Sequence, residues 1–251
     1  MELFPVPDLP EIEPGDDLAE LIESRSDLRP DDVLVVASTV VSKSEGRLAD
    51  LDDYPAGPRA REIAGRVSEL TGEEKDPRFA QAVLEESTEV LIEAPFLLSE
   101  TPSGHVGVNA GIDRSNVSGA DLLLLPRRPS ESAARIRDGL AGRPPVIVSD
   151  TCGRPFRHGQ RAVAIGLAGM PPSRDWRGEL DRDGRELTAT VQCVADELAG
   201  AANLVAGEGA DGTPAVVVRD WDFGDLDGSD YLFRDARGDY VRQALRGWQY
   251  E

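Results

Sequence analysis

Two acidic segments of the chain carry residues that could bind an ion or a phosphate group. Residues 109–116 hold Asp113 and residues 149–154 hold Asp150, each among small or polar residues next to glycine and just after an apolar run. Apolar runs of this kind are typical of buried strands, so each aspartate should lie at a strand end, where side chains and backbone amides can converge on a ligand. The alternative is that both segments are turns, because Asp, Asn, Ser and Gly are also common turn residues.

A third segment, residues 37–47, follows the strand-like run 33–36 and contains a lysine. Only Lys43 and Lys75 are lysine among the twenty-seven basic residues of the chain. The lysine ammonium is a compact point charge that suits a nucleotide phosphate, so Lys43 in a Ser/Thr-rich loop predicts a phosphate contact. Chance placement of a rare residue is the alternative.

The coarse pattern mixes strands and helices without regular alternation, which favours an α+β fold with mixed sheets over a doubly wound sheet. The sequence G-E-G-A-D-G at residues 207–212 matches a dinucleotide-binding fingerprint, but a helix precedes it and a strand follows, which is the wrong context. No P-loop motif occurs. We predict strands at 33–36, 105–108, 122–125, 146–148 and 215–218, and helices at 15–22, 61–70, 78–90, 130–140, 188–205 and 240–248.

Composition limits the classes of function. The net charge of −20 argues against a nucleic-acid partner, which requires a basic surface. Dense surface carboxylates also fit a high-salt cytoplasm and a halophilic archaeal source. The start of the chain has no leader pattern and no segment is long enough to span a membrane, so we expect a soluble cytoplasmic protein. Cys152 and Cys193 are too few for a disulfide framework, and they could pair only if the fold brought them together.

Taken in order, the three segments resemble the coenzyme F420-0:L-glutamate ligase family, GTP-dependent enzymes that add glutamate to a deazaflavin coenzyme. Further matching segments at residues 4–6, 84–87, 153–157, 194–199 and 207–212 extend the resemblance from end to end. It implies an F420 gamma-glutamyl ligase-like fold that is neither Rossmann nor P-loop. It also implies one ligase domain over residues 1–251, which could comprise two subdomains, without the flavin-reductase-like domain that some relatives carry.

Carried over by motif, the resemblance implies a divalent metal, Mg²⁺ or Mn²⁺, held by Asp113, Asp150 and Thr151, with K⁺ as a further cofactor. It implies GTP contacts on three stretches of the chain and one asparagine. No side chain is implied as an acid, base or nucleophile, because phosphoryl transfer depends mainly on charge neutralisation and positioning. The implied nucleotide-binding residues are Leu9, Pro10, Glu11, Ile12, Ser38, Thr39, Lys43, Asn116, Gly207, Glu208, Gly209 and Asp211.

The resemblance further implies a homodimer that acts on coenzyme F420-0 and F420-1 with L-glutamate and GTP. The reaction would form an acyl phosphate, then an amide, and in a second round a gamma-linked glutamate. Two alternatives remain from the sequence. A non-catalytic deazaflavin- or nucleotide-binding protein would need the same anion-lined pocket, and a metal-dependent phosphohydrolase would release phosphate without glutamate.

Overall fold

The computed structural model describes residues 1–115, 117–153, 155–209, 212–222 and 231–248. Its strands are β1 (Glu2–Pro5), β2 (Val33–Ala37), β3 (Leu48–Ala49), β4 (Glu89–Ile92), β5 (Leu98–Glu100), β6 (Val106–Val108), β7 (Leu122–Leu123), β8 (Val146–Gly153), β9 (Gln160–Ala168), β10 (Arg174–Asp175), β11 (Val191–Gln192) and β12 (Ala215–Arg219). Its α-helices are α1 (Leu18–Glu23), α2 (Ser38–Ser44), α3 (Pro58–Thr71), α4 (Pro77–Glu85), α5 (Pro129–Gly139), α6 (Val194–Ala206) and α7 (Tyr240–Arg246).

A five-stranded mixed sheet forms the centre of the fold, in the order β1-β12-β2-β8-β9. Strands β2 and β8 are parallel, and the other neighbouring pairs are antiparallel. The register sets Ala37 of β2 opposite Ser149 of β8. Because parallel strands point the same way, the residues that follow these two positions emerge together at one edge of the sheet.

Helices cover both faces of this sheet, which is why its central strands are almost wholly apolar. On one face, alternate residues of β2 and β8 such as Leu34 and Val148 pack against α1, α2 and α5. On the other face, Val35 and Ile147 pack against α6 through Val194 and Leu198. The two-residue period of a strand therefore sends successive side chains of β2 into two different cores.

A third core lies in the stretch between α2 and α5. It is built by α3 and α4 with short strands around them, and Ile63, Phe79, Leu97 and Leu122 are buried there. The small sheets β3-β7 and β4-β5-β6 belong to this stretch. The prediction of one ligase domain, with or without two subdomains, stays a prediction.

The observed architecture confirms the α+β prediction, with several sheets and no regular alternation of strand and helix. The G-x-G-x-x-G segment also lies where the sequence placed it, because α6 ends at Ala206 and β12 begins at Ala215. Residues 210 and 211 of this segment are outside the described residues. Within the described part of the chain, no helix is both long enough and apolar enough to cross a membrane.

Three local predictions were wrong. Residues 38–44 form helix α2 rather than a loop, although Ala37 provides no side-chain cap, because Val40 and Val41 are buried in the core. The predicted helix 188–205 begins only at Val194, since residues 191–192 pair with β10. The predicted helix 78–90 ends at Glu85, and Val90 joins the sheet opposite Ser99 instead.

Candidate functional site

Two predicted site residues are in direct contact where β2 ends beside β8. The predicted position of Asp150 at a strand end was wrong, because β8 continues to Gly153 and pairs Asp150 with Val163 of β9. The Ser38 hydroxyl donates a hydrogen bond of 2.7 Å to Oδ1 of Asp150, although 112 positions separate the two residues in the chain. Ser38 is buried, at 3% exposure. The parallel pairing of β2 with β8 therefore brings two of the three motifs into one site.

Asp150 lies in a strongly negative environment. Burial raises the pKa of its carboxyl to about 6, and the carboxylates of Asp113 and Glu208 add to this rise, while hydrogen bonds from Ser38 and from the Thr151 amide oppose it. The charges of two carboxylates from distant parts of the chain thus act on Asp150. Like charges that approach without a compensating cation favour either a proton or a bound metal ion.

Thr151 links the end of β8 to the loop after α6. Its hydroxyl donates to Oε1 of Glu208 at 3.2 Å, and the same oxygen accepts a bond of 2.8 Å from the Asn203 amide. Gly207, with φ of 72°, ends the helix in a backbone conformation that favours glycine. The predicted loop residues Glu208 and Gly209 therefore lie beside the predicted metal ligand Thr151. Asp211 is outside the described residues.

Asp113 follows a tight turn. Its backbone exchanges two hydrogen bonds with Leu123, and its Oδ1 accepts bonds of 2.7 Å from the amide and the hydroxyl of Ser115. Gly111, with φ of 67°, precedes it, and a Cβ at that position would lie 2.4 Å from Cδ1 of Leu125. Only glycine fits there, so the turn is fixed by close packing as well as by its dihedral angle. Asn116 is outside the described residues.

The predicted metal ligands Asp113, Asp150 and Thr151 offer only oxygen donors, which suits Mg²⁺ or Mn²⁺. In the described ranges, no three His, Cys, Asp or Glu side chains are grouped closely enough to bind a metal by themselves. Magnesium commonly uses one or two carboxylates, with water and substrate phosphate completing its shell. The donor chemistry therefore fits a metal shared with a phosphate, and the metal site stays a prediction.

Lys43 lies on α2, where its ammonium forms an ion pair with Glu11. The Lys43 side chain is 12% exposed, whereas that of Glu11 is 70% exposed, so Glu11 covers the lysine from the solvent side. Ile12 is buried and Leu9 packs partly into the same core, so Glu11 and Pro10 are the exposed side chains of that segment. Thr39 is half-buried in the first turn of α2. Lys43 and Glu11, both predicted GTP contacts, thus lie together.

Cysteine and histidine chemistry has no support at this site. Cys152 and Cys193 are free thiols, and burial together with Asp150 raises the pKa of Cys152, which disfavours the nucleophilic thiolate.

A cavity of about 330 Å³ lies between α1, α2 and α5, with Glu45 and Arg135 in its wall. None of the predicted ligand-binding residues lines that cavity, so the cavity is separate from the candidate site.

Sequence reasoning missed several polar residues near the predicted ligands. Asn203 donates a hydrogen bond to Glu208 from within α6, and nothing in the sequence around Asn203 predicts that role. Lys75, which precedes α4, and Arg114, which directly follows Asp113, lie over the same Phe79 ring. The scarcity of lysine could have pointed to Lys75 as well as to Lys43.

Comparison with known proteins identifies the family. The family model described as F420-0:Gamma-glutamyl ligase matches residues 8–220. A relative from Halorubrum lacusprofundi named "Coenzyme F420:L-glutamate ligase" is 70% identical over the full length of both chains. Relatives with the same name from Halobacterium salinarum and Archaeoglobus fulgidus are 66% and 48% identical, over 100% and 98% of this chain and 99% and 98% of their own.

Proposed function

The chain belongs to the F420-0:gamma-glutamyl ligase family, and on this basis we propose that it joins L-glutamate to coenzyme F420-0 in a reaction driven by GTP. The observation that carries the proposal is the match over the full length of relatives that bear this name, which include haloarchaeal ones. The Ser38–Asp150 contact supports it, since it assembles two of the sequence motifs at one sheet edge.

The proposed chemistry has two steps. A carboxylate oxygen of the coenzyme attacks the γ-phosphorus of GTP, the bond to the β-phosphate oxygen breaks, and GDP leaves. The amine of L-glutamate then attacks the acyl carbon of the resulting acyl phosphate, inorganic phosphate leaves with the bonding electron pair, and the amine gives up a proton. A second round on F420-1 would make the gamma-linked product. Both steps bring anions together, so charge neutralisation and positioning dominate the barrier.

The residues at the sheet edge have distinct roles in this proposal. Asp113, Asp150 and Thr151 would hold Mg²⁺ or Mn²⁺, which when bound would offset the negative charge of the transferred phosphoryl group. Ser38 holds the Asp150 carboxylate in place through its 2.7 Å hydrogen bond. Lys43 would contact a GTP phosphate, and the backbone amides of the 207–209 loop would lie beside the nucleotide. K⁺ would be a further counter-ion.

Release of phosphate from GTP separates this proposal from the two alternatives. The ligase should release phosphate only when coenzyme F420-0 and L-glutamate are both present. A phosphohydrolase would release it without glutamate, and a binding protein would not release it under any of these conditions. The measurement is a phosphate assay with each substrate omitted in turn. Release that is equally fast without glutamate would contradict the proposal.

A further inference from the structure

The second of the two lysines lies in an unusual environment for a molecule with a net charge of −20. Lys75 is half-buried just before α4, and its ammonium lies 4.4 Å from the centroid of the buried Phe79 ring. The guanidinium carbon of Arg114 lies 5.6 Å from the same centroid. Two cations therefore lie over one aromatic ring, and the charge of Arg114 reaches Lys75, so each raises the energy of the other unless an anion lies close to both.

Neither cation is neutralised by a carboxylate within the described part of the chain. Lys75 donates only to a neutral acceptor, Oδ1 of Asn109, at 3.3 Å, and Arg114 forms no ion pair there. Asp76 is close enough to feel the charge of Arg114, but its carboxylate is already bound by Arg78. Lys75 and Arg114 thus lie over one aromatic ring without a carboxylate partner among the described residues, which makes the pair a candidate site for an anion.

The backbone near this pair is strained. Asn109 and Ala110 both have φ of 55°, and Ala110 is almost completely buried. A left-handed conformation is unfavourable for a residue with a Cβ, and alanine has no polar side chain to offset it. Such strain is found preferentially at functional sites, where it fixes a side chain in place. Here it holds the Asn109 amide against Lys75, four residues before the predicted metal ligand Asp113.

We propose that Lys75 and Arg114 form a subsite that binds a carboxylate of an acidic substrate beside Asp113. The inference rests on the proposed function, in which a carboxylate of the coenzyme is activated and L-glutamate carries two further carboxylates. A planar guanidinium matches the two oxygens of a carboxylate, and the ammonium of Lys75 adds a second charge-assisted contact. Burial and Arg114 both lower the pKa of Lys75, as expected for a cation that lacks its counter-ion.

The subsite is tested by steady-state kinetics of Lys75→Gln and Arg114→Gln, with KM measured separately for L-glutamate, coenzyme F420-0 and GTP. We expect KM for one acidic substrate to rise about tenfold or more in both variants, since each loses a charge-assisted hydrogen bond, while KM for GTP changes less than twofold. The substrate whose KM rises is the source of the carboxylate. Arg66→Gln, which removes an exposed arginine on α3, is the matched control and should leave all three values unchanged.

Unchanged KM for both acidic substrates in both variants would overturn the subsite, and so would an equal rise in KM for GTP. Arg114 is exposed, so Arg114→Gln keeps the test decisive even if Lys75→Gln does not fold. If the wild-type protein makes no product, the proposed function fails, and calorimetric titration with L-glutamate and with coenzyme F420-0 decides the subsite alone. Binding of either ligand that both variants weaken about tenfold supports it, whereas equal binding, or none to the wild-type protein, contradicts it.

Discussion

Asp150 illustrates how a single residue can be unfavourable in the free protein and useful with its ligand. Burial and the carboxylates of Asp113 and Glu208 disfavour its charge, and the pKa rises to about 6. In the proposed function, a bound divalent cation would reverse that penalty, because it would attract the acidic groups that repel one another without it. The unfavourable charge of Asp150 in the free protein is therefore consistent with the proposed metal site at Asp113, Asp150 and Thr151.

The first prediction concerns the two aspartates. Asp113→Asn and Asp150→Asn should each lower kcat about a hundredfold or more, because they remove a charge that holds the metal at the transferred phosphoryl group. Melting curves with and without Mn²⁺ should show a smaller metal-dependent increase in Tm for each variant than for wild type. Asp31→Asn, an exposed aspartate, is the matched control. Near-normal activity of both variants would show that Asp113 and Asp150 do not hold a metal that the reaction needs.

The second prediction concerns Lys43. Lys43→Arg keeps the positive charge but replaces a compact ammonium with a wide planar group, in a half-buried position already filled by the ion pair with Glu11. KM for GTP should rise several-fold, whereas KM for L-glutamate should stay the same. Arg66→Lys on α3 controls for the exchange itself. Kinetics that match wild type would show that Lys43 does not contact GTP and pairs with Glu11 alone.

At the scale of elements, the buried strands were predictable and the pairing between them was not. Strands β2, β8 and β12 appear as apolar runs because both of their faces are covered, but nothing in those runs shows that β2 lies beside β8. The Ser38–Asp150 contact depends on that pairing. Helix α2 was missed because its Ser, Thr and Val residues favour loops or strands, and tertiary burial overrides that propensity. Lys75 and Arg114 meet only through the packing of α4.

The turn at the start of β6 provides a prediction about pH. His105 is 4% exposed and its Nε2 has no partner among the described residues, and burial lowers its pKa to about 4, with Asp196 acting in the opposite direction. Between about pH 4 and pH 6.5, the unfolded chain therefore binds a proton at His105 that the folded protein does not bind. Above pH 6.5 His105 does not reduce the free energy of unfolding. Towards pH 4 it lowers that free energy by about 3 kcal/mol.

This effect is isolated by comparing the wild-type protein with His105→Leu in melting curves between pH 7 and 4.5. The wild-type Tm should fall relative to that of the variant as the pH decreases. Asp150, whose pKa is raised, contributes with the opposite sign in part of this range, and the difference between the two proteins removes its contribution. Parallel Tm curves would show that His105 does not titrate differently in the folded and unfolded states.

At the scale of the whole molecule, the net charge of −20 predicts a dependence of stability on salt. Screening shortens the reach of each carboxylate from about 10 Å at 0.1 M salt to about 3 Å at 1 M, so self-repulsion of the folded state weakens as KCl is added. Tm should rise with KCl and should keep rising in multimolar salt if acidic side chains also bind water specifically. A Tm that is flat or falls between low and molar KCl would contradict the interpretation of the acidic surface as a salt adaptation.

The most direct test of the proposed function is the mass of the coenzyme itself. Coenzyme F420-0 is incubated with the protein, GTP, Mn²⁺ and isotopically labelled L-glutamate in high salt, and the coenzyme is then analysed by mass spectrometry. The proposal predicts an increase in mass by one or more labelled glutamyl residues, which disappears when GTP is omitted and in the Asp150→Asn variant. A coenzyme of unchanged mass, together with circular dichroism that shows folded protein under the same conditions, would contradict it.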